Sequence, residues 1–168
     1  MFSGSLVAVI TPMRHDGTID LAAWFRLVDF HASNGTSCLV VGGTTGESAT
    51  LTDAELDELT RLAVQHAAGR LAVVAGAGTS STAATVARVA RLSQLGVEGL
   101  LVVTPAYVRP TQEGLYRHFE AVAAASAEAA SARNTLSAVL LGATLAGVMV
   151  IVSIVMLSRE NTQRQRAE

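Results

Sequence analysis

A glycine- and threonine-rich segment from Gly42 to Ser48 follows an apolar run and holds the first candidates for chemistry. Glycines permit tight turns in which consecutive backbone N–H groups converge on an anion. Thr44 and Thr45 add two hydroxyl groups beside those amides. At the carboxyl end of a strand, such a turn suits a small carboxylate. The same composition is also typical of a purely structural turn.

A second candidate segment runs from Thr104 to Pro110 and contains Tyr107 and Arg109. A tyrosine can relay a proton, and an arginine can pair with a carboxylate. Taken alone, this pattern favours a packed tyrosine and a surface arginine.

The four histidines have no metal-ligand spacing, and the single cysteine excludes a disulfide within the chain. We therefore expect neither a metal site nor a cofactor.

The charged residues exclude two kinds of chemistry. The chain has 168 residues and a net charge of −2, which gives nucleic-acid binding no electrostatic support. Its 12 basic residues are all arginine, so the sequence contains no lysine. A chain without lysine cannot form a lysine Schiff base.

Short apolar runs alternate with amphipathic stretches over the first part of the chain. Each run ends at glycine, threonine or proline, and the order β-α recurs four times, which predicts a parallel sheet with right-handed crossovers. The predicted strands are 6–10, 38–41, 71–75 and 100–103, and the predicted helices are 20–33, 81–95 and two that begin at 52 and 111. An open doubly wound sheet and a closed barrel both fit this order. A complete (β/α)₈ barrel needs about 250 residues, so the chain could hold half of one.

A long apolar segment follows, with no charged residue between 134 and 158 and arginines on both sides. As a helix rising about 1.5 Å per residue, it would cross the hydrocarbon core of about 30 Å. We predict a transmembrane helix over 134–158, after an alanine-rich helical linker at 126–133 and before a polar tail at 159–168. A buried core helix is the alternative. The expected localisation is a single-pass membrane protein in contact with lipid, with the preceding domain in the cytoplasm.

Several segments together resemble the N-terminal half of the 4-hydroxy-tetrahydrodipicolinate synthase family, which includes dihydrodipicolinate synthase and N-acetylneuraminate lyase. The resemblance covers residues 1 to about 125. It rests on Phe2-Ser3-Gly4-Ser5, Ile10-Thr11-Pro12-Met13, Gly42 to Ser48, Thr104-Pro105, Tyr107 and Arg109 to Tyr116. It implies an α/β fold, half of a TIM (β/α)₈ barrel in four βα units over 1–125, followed here by the transmembrane helix.

The resemblance also implies an activity and a set of site residues. Members of the family are lyases that condense pyruvate with aspartate semialdehyde, on the route to lysine and diaminopimelate. By resemblance, Thr45 would hold the pyruvate carboxylate as the substrate-binding residue. Thr44 and Tyr107 would be catalytic, Thr44 in a proton relay and Tyr107 reaching the site of a neighbouring subunit. The expected ligand is a pyruvate-like carboxylate, and no metal or cofactor is implied.

The sequence departs from the family pattern in decisive places. The family's second relay tyrosine, its substrate-binding arginine and its Schiff-base lysine all fall beyond the resembling residues. Ala106 and Val108 stand where the family often has tyrosine and asparagine. We therefore expect a truncated chain that is inactive in isolation and self-associates to cover open sheet edges. The alternatives are a membrane-anchored half-barrel that binds or scaffolds without catalysis, and a rearranged reading frame with little function.

Overall fold

The computed structural model describes residues 2–131, 136–143 and 151–158. Its backbone forms two compact units. The first unit comprises Met1–Gly76 with Leu95–Val97, and the second comprises Ala77–Gln94 with Glu98–Glu168.

The first unit is a three-stranded parallel sheet covered by two helices. Its elements are β1 (Ser5–Ala8), α1 (Leu21–Ser33), β2 (Thr36–Val41), α2 (Asp53–Ala67) and β3 (Ala72–Gly76). β2 lies between β1 and β3, with Leu39 opposite both Val7 and Val73. Apolar residues on both faces of β2 favour a buried central strand. The unit therefore places the carboxyl ends of three parallel strands at one edge.

Both helices of the first unit begin at residues with capping side chains. The Asp20 carboxylate accepts a hydrogen bond from the Ala23 amide at 2.9 Å, before α1. Thr52 and Glu55 form a capping box before α2, at the position where the sequence predicts that a helix begins. The hydrogen bonds from Thr52 lower the pKa of the Glu55 carboxyl. The helices pack through fully buried side chains, among them Trp24, Val28, Leu56 and Leu59.

The second unit contains α3 (Thr82–Leu92), β4 (Gly99–Val103), α4 (Gln112–Ser131), β5 (Leu136–Ala143) and β6 (Ile151–Ser158). β6 pairs antiparallel with both β4 and β5. α4 packs on α3 through an apolar stripe at the helical spacing i, i+4, i+7. This stripe consists of Leu115, Phe119 and Val122, all of which are buried.

The prediction of a transmembrane helix over 134–158 is wrong. Its described residues form strands β5 and β6 instead. Among the described residues, no helix is long and apolar enough to cross a membrane. The predicted single-pass localisation is wrong with it. The predicted lipid contact through 134–158 has no support. A run that is apolar on every side has no periodicity to separate helix from strand, and its many valines and isoleucines favour a strand.

The segments on either side of these strands are only partly covered by the structure. Residues 126–131 of the predicted linker continue α4 to its end at Ser131. The rest of that linker and the predicted polar tail at 159–168 lie outside the described residues.

Candidate functional site

The glycine- and threonine-rich segment forms a tight turn at the carboxyl end of β2. Gly42 leaves the strand with a φ of 64°, and a single 3-10 turn spans Thr44–Gly46. The Gly46 amide donates to the Gly43 carbonyl at 3.0 Å, and the Glu47 amide donates to the Thr44 carbonyl at 3.1 Å. The amides of Thr44 and Thr45 precede these bonds and have no acceptor within the turn.

The side chains of Thr44 and Thr45 are exposed, whereas the glycines on either side of them are buried. The turn therefore exposes two adjacent threonines between two buried glycines. Amide and hydroxyl groups of this kind can donate hydrogen bonds to a small carboxylate, because a carboxylate accepts through both of its oxygens.

Glycine is required at the base of this turn by close backbone packing. A Cβ at Gly76, the last residue of β3, would overlap the carbonyl oxygen of Gly42. A Cβ on Gly42 would overlap the Leu56 side chain, and the positive φ of Gly42 disfavours other residues in any case. The turn therefore lies directly against β3 and α2.

The turn is also bonded to the segment that follows β1. The Thr11 hydroxyl donates to the Gly46 carbonyl at 2.8 Å, and Thr11 is only 5% exposed. A Cβ at Gly46 would lie 2.9 Å from the Val9 carbonyl oxygen. In the sequence, Thr11 stands out only as part of a family motif and has no predicted role. No local pattern links it to a residue 35 positions away.

Tyr107 belongs to the second unit, in the loop between β4 and α4. Its backbone has a φ of 59° and its side chain is fully exposed. A bulky residue in this left-handed region carries about 1–2 kcal/mol of strain, which is often found at functional positions. Arg109 is exposed in the same loop. The structure thus brings Thr44 and Thr45 together in one unit and places Tyr107 and Arg109 in the other.

We expect the substitution Tyr107→Gly to leave the chain as stable as before, or more stable by about 1 kcal/mol, because glycine adopts a positive φ without strain. Urea unfolding of both proteins measures this difference. Val108→Gly is the matched control, since Val108 is exposed in the same loop at a negative φ. A loss of stability in the Tyr107 variant equal to that of the control would show that the tyrosine conformation is not strained.

His118 is a buried polar residue for which the sequence indicates no role. It is 3% exposed, and its Nδ1 lies 2.9 Å from the Thr82 hydroxyl at the start of α3. Desolvation lowers its pKa, so the imidazole is held neutral. Thr111, whose hydroxyl accepts from the Gly114 amide at 3.1 Å, caps the first turn of α4. Both contacts fix α4, which follows the Tyr107 loop.

Two further features lie away from the turn. In the first unit, an open depression of about 510 Å³ is lined by Met13, Arg14, His15, Asp16 and Asp20, none of which is a predicted site residue. Across the part of the chain that the structure describes, no group of three or more histidine, cysteine, aspartate or glutamate side chains could hold a metal ion.

Successive βα units with an anion-accommodating turn at a strand's carboxyl end are typical of α/β enzymes that bind small anionic substrates. The sequence profile of the dihydrodipicolinate synthetase family matches residues 1–130, and this chain belongs to that family. The resemblance found in the sequence is thereby confirmed. The 4-hydroxy-tetrahydrodipicolinate synthases of Dechloromonas aromatica and Methylococcus capsulatus are 49% and 50% identical to the chain over 125 residues.

Solved structures of the family match the same part of the chain. The crystal structure of dihydrodipicolinate synthase from Aquifex aeolicus is 47% identical, with a TM-score of 0.71, over 74% of this chain and 42% of that one. The chloride-inhibited synthase from Acinetobacter baumannii, solved with pyruvate, is 40% identical, with a TM-score of 0.72, over 73% of this chain and 42% of that one. These matches confirm the predicted α/β half-barrel.

The match covers less than half of the length of the relatives. The 125 matching residues are 74% of this chain but 43% of each of the two curated relatives, and they fall in the relatives' N-terminal part. The chain is therefore related to a segment of these synthases.

Proposed function

We propose that this chain contributes the carboxylate-binding part of a pyruvate-dependent synthase site, in the reaction that joins pyruvate to aspartate semialdehyde for lysine biosynthesis. The observation that carries the proposal is the turn at Thr44–Gly46. Its two leading amides have no acceptor within the turn, and the hydroxyls of Thr44 and Thr45 are exposed beside them. Family membership supports the choice of pyruvate, the ligand present in the Acinetobacter baumannii synthase.

The proposed roles follow from what each group can do. The amide and hydroxyl of Thr45 donate hydrogen bonds to the pyruvate carboxylate. The Thr44 hydroxyl both accepts and donates, so it can pass a proton onward. The phenol of Tyr107 is fully exposed, and in our proposal it serves the site of a second subunit. Self-association of the chain is part of this proposal.

The chemistry of carbon–carbon bond formation requires an amine that this sequence lacks. Pyruvate is activated by condensation of its keto group with a lysine amine, and the 168 residues contain no lysine. We therefore propose that the chain is inactive by itself. A second candidate function, binding of a small carboxylate without catalysis, is favoured by the same absence.

The test is a pyruvate titration of the ¹⁵N-labelled chain followed by amide chemical shifts. We expect the largest shifts at Gly43 to Glu47, and weaker binding in the Thr45→Val variant by about tenfold, the effect of one net hydrogen bond. Thr45→Ser keeps the hydroxyl and should bind as the unaltered chain does. Thr44→Val is a second control, because the role proposed for Thr44 is proton transfer and not binding.

The titration has two outcomes that would contradict the proposal. One is the absence of saturable shifts at the turn. The other is a set of shifts centred on the depression around Arg14 and His15, which would move the anion site elsewhere in the first unit. Methyl pyruvate, which lacks the carboxylate charge, shows whether any shift at the turn depends on that charge.

A further inference from the structure

We propose that Thr11 is a positioning residue, which fixes the direction of the Thr44 and Thr45 amides through its hydrogen bond to Gly46. The inference rests on the proposed function, because it explains how the carboxylate-binding turn is held. It assigns a role to a residue outside that turn.

The hydrogen bonds around the turn show why Thr11, three residues after the end of β1, matters. The two threonines lie between Gly43 and Gly46. The Gly43 carbonyl accepts from the amides of Gly46 and Ser48, at 3.0 and 3.4 Å. These bonds close the turn on itself, but they connect it to no other element. The Thr11 hydroxyl supplies an outside connection, at 2.8 Å from the Gly46 carbonyl.

The burial of Thr11 shows that its hydroxyl is committed to this bond. Thr11 is 5% exposed, and Gly46 is buried. A buried hydroxyl or carbonyl without a partner is costly, so each of the two groups requires the other. Valine has nearly the same shape as threonine and would remove the bond while keeping most of the packing.

The contact between the turn and β1 leaves little freedom for any other arrangement. A Cβ at Gly46 would lie 2.9 Å from the Val9 carbonyl and 3.4 Å from the Thr11 hydroxyl. The Val9 amide is itself bonded to the Val40 carbonyl of β2 at 3.2 Å. The end of β1 is thus fixed on β2, and Thr11 transfers that fixed position to the turn. Without the hydroxyl, the buried Gly46 carbonyl would lose its partner, and the turn would lose the hydrogen bond that we propose sets the direction of its amides.

The experiment compares the unaltered chain with Thr11→Val and Thr11→Ser, using amide hydrogen exchange and pyruvate titration. In Thr11→Val we expect exchange of the amides bonded within the turn, those of Gly46, Glu47 and Ser48, to be about tenfold faster, and pyruvate binding to be about tenfold weaker. In Thr11→Ser, which keeps the hydroxyl, both values should return to those of the unaltered chain. Exchange in the middle of α2, measured in parallel, should be the same in all three proteins.

The outcomes separate this inference from the proposed function. If the unaltered chain does not bind pyruvate, the proposed function fails, whereas hydrogen exchange still tests the role of Thr11. If Thr11→Val binds pyruvate with unchanged affinity, or if Thr11→Ser is as impaired as Thr11→Val, the positioning role is overturned. Thr11→Ala is a second hydroxyl-free variant in case the valine variant does not fold, and it is judged by the same two measurements.

Discussion

The Gly76→Ala variant is expected to lose about 3 kcal/mol or more of its free energy of unfolding, because it forces a methyl group into packed backbone. The new Cβ would overlap the Gly42 carbonyl oxygen and lie 3.1 Å from the Gly43 nitrogen. Backbone atoms cannot rotate aside as a side chain does, so β3 and the turn would have to separate. Urea unfolding followed by the fluorescence of Trp24, the single tryptophan, measures the loss.

Gly43→Ala is the matched control for this prediction. Gly43 lies in the same turn at a φ of −76°, which alanine adopts readily, and a Cβ there would meet only Val40 at 3.7 Å. We expect Gly43→Ala to unfold within about 1 kcal/mol of the unaltered chain. Equal losses in the two variants would mean that the turn is not pressed against β3.

The Gly76 contact also bears on binding. Gly42 and Gly43 lead directly into the amides proposed to hold the carboxylate. A displacement of these two residues should therefore weaken pyruvate binding even where the variant stays folded. Weaker binding by a folded Gly76→Ala variant would show that Gly76 is needed for the site as well as for the stability of the sheet.

Local signals were sufficient to predict the order of the elements. All four predicted strands and all four predicted helices of the first part are present. Three of the helices begin directly after the capping residues Asp20, Thr52 and Ser81. Each of these signals acts over three or four residues, so it is visible in the sequence. The helix predicted over 81–95 ends at Leu92 and closes with a short 3-10 turn at Ser93–Leu95, a shift typical of helix ends.

Apolar periodicity does not predict which polar residues are buried in the core. Thr60, Thr85 and His118 all lie in the core, although hydropathy assigns such side chains to the surface. For Thr85, the reason is a hydrogen bond to its hydroxyl from the Thr79 amide at 3.0 Å. The helical periodicity of the sequence does not predict such a bond, because the partner Thr79 lies before the first residue of the helix.

The candidate site was predictable only in part for the same reason. The composition of residues 42–48 is sufficient to predict the turn that the structure shows there. The two contacts that hold that turn, from Thr11 and from Gly76, join residues that are more than 30 positions apart along the chain. The error over 134–158 has a different cause, because a uniformly apolar run carries no period to separate a helix from strands.

Borohydride trapping with pyruvate is expected to leave the chain without a reduced adduct. An imine forms when an amine condenses with the keto group of pyruvate and releases water, and borohydride then reduces it to a stable secondary amine. The chain offers only its N-terminal amine, since it has no lysine. Intact mass spectrometry measures the adduct, and an N-terminally acetylated chain gives the background.

A second trapping experiment supplies the missing lysine amine on a separate polypeptide that is mixed with this chain. The remaining part of a relative, such as the synthase of Methylococcus capsulatus beyond the segment matched here, carries the lysine in our proposal. Mixed with this chain, it should be trapped by pyruvate and borohydride, and Thr45→Val in this chain should reduce that trapping by about tenfold. If the partner is trapped equally with and without this chain, the chain contributes nothing to the site. If the unacetylated chain alone is trapped stoichiometrically, its own N-terminal amine reacts, and the proposal that it is inactive by itself is wrong.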